Sequence, residues 1–156
     1  MMSDKQMCEK AVELFLNGFH CSQAILEACS PLLGDKKPSD DLIAAMAPFG
    51  GGMGSSGKVC GTLSGGLALI GFTMGKTEPS AKDHKDMWRL SYKLVKEFEQ
   101  LTQEYGGVNC SNIARVNWKD RDSVKSFYKD PNSRRQECFK VIRNTCQILN
   151  KLLSEK

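Results

Sequence analysis

APFGGGMGSSGKVCGTLSGGLALIGFTMG, residues 47–75, joins a glycine run, one lysine and one cysteine to an apolar, glycine-spaced segment. Most of the chain's 14 glycines fall here. Glycine loses more backbone freedom on folding than any other residue. Such a stretch therefore serves backbone conformations that side chains forbid, or the close approach of a neighbour. Residues 50–57 read as a loop. Residues 59–73 read as a buried helix, the alternative for so short an apolar run being a buried strand. Gly61, Gly65 and Gly66 favour the helix, because they give it a face that a second helix can approach. Cys60, two residues after Lys58, sits at its start and is the residue expected to carry chemistry.

The flanking sequence reads as helices. Residues 3–17 place Met7, Cys8, Ala11, Leu14 and Phe15 at helical spacing behind a Ser3 cap, and Asn17-Gly18 ends the run. Residues 20–30 carry the stripe Cys21, Ala24, Ile25, Ala28, Cys29 up to Pro31. Residues 40–47 predict a short helix. Residues 80–105 predict the longest one, with Leu90, Leu94 and Phe98 on its apolar stripe. Residues 108–131 are irregular, with short helices near Cys110 and over 118–128. Asn132 or Ser133 caps a last helix reaching about Leu153. The expected fold is an all-α, single-domain bundle of five or six helices over residues 1–156, with a Gly-rich loop leading into a buried helix.

At 156 residues the chain is long enough for a sizeable core, and a net charge of +4 without a basic run predicts no nucleic-acid surface. The charged N-terminus is unlike a signal peptide, so the expected location is cytoplasmic. The segment 63–74 is too short to span a membrane, so no membrane is expected. The small-residue face of 59–73 and the long amphipathic helix suit a homodimer.

Seven cysteines in a cytoplasmic chain point to metal or redox chemistry rather than structural disulfides. Spacing prunes them. Cys21 and Cys29 are eight residues apart on one helix, as are Cys138 and Cys146. Eight residues rise about 12 Å, too far for one metal ion or one disulfide. Each helix thus offers at most one member of a shared site. Position selects Cys21, Cys60, Cys110 and Cys138, which lie near helix starts where the positive helix end favours thiolate. Cys8 is held in reserve. The same four are the candidate metal ligands, and Cys60 with Cys21 the candidate catalytic pair. No C-x-x-C occurs, so zinc ribbons, thioredoxin-like pairs and c-type haem attachment lack their signature.

Gly52-x-x-x-x-Gly57-Lys58 nearly matches a P-loop, but Val59 replaces the hydroxyl residue that would ligate Mg²⁺. Gly52, Gly54, Gly57 and Lys58 are the candidate cofactor-binding residues, for an anion or a flavin phosphate held on loop amides. His20 reads as a capping or surface residue, His84 as solvated, and Trp88 and Trp118 as packing residues.

The blocks Asn17-Gly18-Phe19-His20-Cys21-Ser22-Gln23-Ala24, Phe49-Gly50-Gly51-Gly52-Met53-Gly54 and Val59-Cys60-Gly61-Thr62-Leu63-Ser64-Gly65-Gly66, with Cys110 and Cys138, resemble the C_GCAxxG_C_C family of redox-active proteins. That family is similar to the non-haem part of split-Soret cytochromes, which implies that the four cysteines hold an iron–sulfur centre. Three readings remain open. One is electron transfer through an Fe–S or other metal centre, with a redox partner the sequence does not name. The second is metal-free thiol–disulfide chemistry, with Cys60 as attacker and Cys21 or Cys138 resolving, an oxidoreductase-type role. The third is a structural helical domain with zinc or buried cysteines.

Overall fold

A computed structural model describes residues 2–154. Among them are eight α-helices and no strand: α1 (Asp4–Leu16), α2 (Cys21–Cys29), α3 (Asp40–Met46), α4 (Gly61–Met74), α5 (Met87–Thr102), α6 (Cys110–Ile113), α7 (Arg121–Lys129) and α8 (Arg135–Leu153). The all-α class holds, and the helix count is larger than the expected five or six. The excess comes from α6 and α7, elements of four and nine residues in the irregular stretch 108–131, whose apolar stripes are too brief to register as clear periodicity.

Local chemistry sets the helix ends. Ser3 caps α1 reciprocally: its Oγ accepts from Gln6 N at 3.2 Å, and Gln6 Oε1 accepts from Ser3 N at 2.8 Å. Ser39 caps α3 through Leu42 N at 3.2 Å. The helix expected over 80–105 begins at Met87 rather than at Ser80, and at 16 residues it is shorter than the 19-residue α8. Asp83 Oδ1 accepts from Lys76 N at 2.9 Å, and His84 N donates to Met74 O at 2.8 Å. These bonds fold residues 76–84 back onto the end of α4, and such local bonds compete with helix. Trp88, expected to pack, is 72% exposed on the outer face of α5.

The main core lies between α1, α2, α4, α5 and α8, with Ile25, Leu69, Leu94, Phe98, Ile142 and Leu149 fully buried. Each such side chain contributes roughly 1.5–3 kcal/mol by leaving water. The tightest contact joins α2 to α4. A β-carbon on Gly65 would collide with Ile25 Cγ2 and Ser22 O, so the two backbones touch where glycine leaves room. Ser22, buried beside it, donates its hydroxyl to Met46 O at 2.7 Å and fixes α2 to α3. A smaller cluster of Cys110, Ala114 and Phe127, flanked by Trp118 and Cys138, sits apart from the main core. No helix among the described residues is long and apolar enough to cross a membrane.

Candidate thiol site

Four helix starts meet at one cavity. Cys21 is the first residue of α2 and Cys110 the first of α6. Cys60 is the N-cap of α4, and Cys138 lies in the first turn of α8. All four line a cavity of about 590 Å³, within the range that takes a small organic molecule. Its other walls are mainly apolar and aromatic, among them Phe15, Phe19, Trp118, Phe127 and Tyr128.

The glycine run shapes this wall. Residues 51–55 all adopt left-handed backbone, with φ between 59° and 73°. Met53 and Ser55 do so with side chains, at about 1–2 kcal/mol each. The turn closes on itself through Gly57 N to Gly51 O at 3.0 Å and Lys58 N to Gly52 O at 2.9 Å. It then delivers Lys58 O to Cys110 N at 2.7 Å, while Cys60 N reaches Val108 O at 3.0 Å. An isolated antiparallel bridge between Val59 and Asn109 spans the same join. Backbone pairing thus holds Cys60 and Cys110 side by side.

Cys21 and Cys60 are electrostatically coupled neighbours. The Cys21 thiol hydrogen-bonds the Cys60 sulfur, and this bond is the main influence holding the Cys60 pKa down at about 7. Burial opposes it, and the Thr62 hydroxyl with the N–H groups of Thr62 and Leu63 adds to it. The same bond raises Cys21, helped by burial and by the charge on Cys60. Of the pair, Cys60 is the more readily ionised and Cys21 the one that holds its proton. Burial pushes Cys110 up to about 11; the indole N–H of Trp118 pulls the other way, and the Cys60 charge adds to the rise. Cys138 is raised by burial and by the charges of Cys60 and Cys110, against the pull of Arg134 and Arg135. The Arg135 guanidinium stands over the rings of Phe15, Tyr128 and Phe139 at 5.3, 4.9 and 5.7 Å, which brings a cation to an aromatic wall.

The remaining sequence candidates are placed as follows. Gly54 lines the cavity. Gly52 is buried behind it, where a β-carbon would lie 2.7 Å from Cys110 Cβ. Gly57 packs toward Ser111 and Lys58 is exposed; neither is a cavity residue. His20 is the N-cap of α2, its backbone N–H donating to Gln23 Oε1 at 3.2 Å. His84 is exposed. Cys8, Cys29 and Cys146 lie in the main core, away from the cavity. Sequence reasoning passed over Thr62 and Arg135. Thr62 was findable, two residues after Cys60 in a helix's first turn. Nothing along the chain marked Arg135.

The thiols share one cavity without closing on one point. Among the described residues, no three His, Cys, Asp or Glu side chains are placed to hold a metal ion.

An all-helical chain that turns four helix starts and four thiols onto one cavity is a thiol-site protein. The model of the family described as "Putative redox-active protein (C_GCAxxG_C_C)" matches residues 19–152, and the chain belongs to that family. No curated protein and no solved structure matches it.

Proposed function

We propose that the protein is a dithiol–disulfide redox protein, with Cys60 as the attacking thiol and Cys21 as its resolving partner. The observation that carries this reading is the seating of Cys21. Its sulfur fills the space left open by Gly61, 2.6 Å from where a β-carbon there would lie, and is electrostatically coupled to Cys60. Attack on a disulfide RSSR by the Cys60 thiolate forms a mixed disulfide and expels RS⁻. Cys21 then attacks the Cys60 sulfur and expels the second RS⁻. The products are a Cys21–Cys60 disulfide and two RSH: one leaving group takes the Cys21 proton, the other takes a proton from water, and two electrons go to the substrate. Cys21 keeps its proton until that step, because its bond to Cys60 favours the neutral thiol. The aromatic wall shelters the mixed disulfide from water.

The test is alkylation of the reduced protein at pH 7 with peptide mapping, followed by oxidation with glutathione disulfide. Cys60 reacts first, and oxidation joins Cys21 to Cys60. If Cys60 alkylates no faster than free glutathione and no such link forms, the reading fails.

A second reading rests on a different observation: four thiols on one cavity oppose one another's ionisation. A cationic centre relieves that opposition. The donor set and the room suit an iron–sulfur cluster, wider than a single ion, held by Cys21, Cys60, Cys110 and Cys138. Such a cluster supplies one-electron transfer at a potential tuned by hydrogen bonds to its sulfurs. The Trp118 indole N–H, buried on this wall without a hydrogen-bond partner, is a donor free to serve such a sulfur. Anaerobic incubation with iron and sulfide separates the two readings. Visible absorption that bleaches on dithionite supports the cluster; colourless, iron-free protein removes it.

A further inference from the structure

Three of the seven cysteines take no part in the cavity. Cys8 on α1, Cys29 at the end of α2 and Cys146 in α8 are buried in the main core. Burial alone is ordinary for cysteine, which packs as a small hydrophobe. Pairing is not explained by burial. The Sγ atoms of Cys29 and Cys146 lie 3.3 Å apart, although 117 positions separate the residues in sequence. Cys8 neighbours the pair, and Cys146 is among the groups that raise its pKa.

The arrangement repeats along two helices. α2 carries Cys21 at the cavity and Cys29 in the core; α8 carries Cys138 at the cavity and Cys146 in the core. In each helix the two thiols are eight residues apart, a rise of about 12 Å. The core pair is therefore out of reach of direct thiol–disulfide exchange with the cavity thiols. It is a separate site.

We propose that Cys29 and Cys146 form a second redox couple, closed by a small peroxide into a disulfide that ties α2 to α8. One thiol is oxidised by hydrogen peroxide to a sulfenic acid, releasing one water. The other thiol attacks that sulfur, forms the S–S bond and releases a second water. Two electrons pass from the two thiols to the peroxide, and both thiol protons leave in water. A disulfide needs an S–S distance of about 2.05 Å, so the two sulfurs have a short approach to make from facing helices. Both are fully buried, so oxidation proceeds through local opening and is slower than at the cavity.

The experiment uses the reduced full chain and hydrogen peroxide. Exposed Met53 reports the dose, which is raised until its sulfoxide is complete. Free thiols are then blocked in denaturant, and the chain is digested without reduction. The expected result is a cross-linked peptide joining residues 29 and 146, with loss of two core thiols that dithiothreitol restores. Recovery of Cys29 and Cys146 as free thiols, or as unlinked sulfinic acids, at that dose overturns the proposal. So does a Cys8–Cys146 link in its place. Because the readout concerns cysteines outside the cavity, it succeeds or fails independently of the chemistry at Cys60.

Discussion

The Cys21 sulfur occupies the space that Gly61 leaves empty: a β-carbon on Gly61 would lie 2.6 Å from Cys21 Sγ and 2.8 Å from Phe49 O. Gly61→Ala gains roughly 1 kcal/mol of helix propensity. It must also displace a sulfur and a backbone carbonyl, and the carbonyl cannot turn aside as a side-chain end can. The clash wins. We expect a net loss of about 1–3 kcal/mol by urea denaturation, together with a rise in the Cys60 pKa as Cys21 is pushed off it.

The reactivity of Cys60 should follow its pKa of about 7. Its alkylation rate rises through pH 7 and flattens above it, and falls about tenfold per unit below. Cys21→Ala removes the largest influence holding that value down while burial still raises it, so the profile shifts alkaline. A return to near 9 cuts the thiolate fraction at pH 7 about fiftyfold. The greater nucleophilicity of a higher-pKa thiolate recovers part of this, leaving a net loss of roughly five- to tenfold. Rates of iodoacetamide modification against pH measure it; an unshifted profile in Cys21→Ala would count against the coupling.

Stability should fall in alkali. Cys8 is raised to about 12 and Cys110 to about 11, chiefly by burial, from an ordinary value of 9.0. Above pH 9 the unfolded chain releases these protons and the folded chain keeps them. The folded state then binds more protons, and unfolding becomes easier as pH rises. Between about 7 and 9 Cys60 acts in the opposite sense, because its folded value is the lower one. Denaturant midpoints should therefore decline steeply only above pH 9, and less steeply in Cys8→Ala.

Gly52 and Gly54 share a left-handed backbone but not a neighbourhood. A β-carbon on Gly54, at φ 66°, meets nothing within 4 Å. On Gly52, at φ 73°, it would lie 2.5 Å from Lys58 O, 2.7 Å from Lys58 N and 2.7 Å from Cys110 Cβ. Gly54→Ala should cost about 1–2 kcal/mol from backbone strain alone. Gly52→Ala should cost at least about 3 kcal/mol and disturb Cys110. Paired urea titrations of the two variants check the ranking.

The eight-residue spacings Cys21/Cys29 and Cys138/Cys146 were legible in the sequence, because helical rise is fixed by backbone geometry. They forbid either pair from sharing one small site, and the structure indeed sends the members of each pair to different places. What spacing could not say is where the rejected members go. Cys29 meets Cys146 through the packing of α2 on α8, a contact across 117 positions that no local pattern encodes. The start of α5 was misplaced for a related reason. Pro79-Ser80 carries a helix-start signal, but Asp83 and His84 bond back to the end of α4.

The sequence by itself determined the all-helical class, most helix boundaries and the presentation of thiols at helix starts. Periodicity, capping residues and glycine act over a few residues and can be read along the chain. Tertiary structure alone decided that Cys21 donates to Cys60, that Arg135 stands over three rings beside the cavity, and that the glycine turn pins Cys110 next to Lys58. These depend on how helices distant in sequence pack, and on the absence of a side chain at Gly52, Gly61 and Gly65 where another part of the chain must come close.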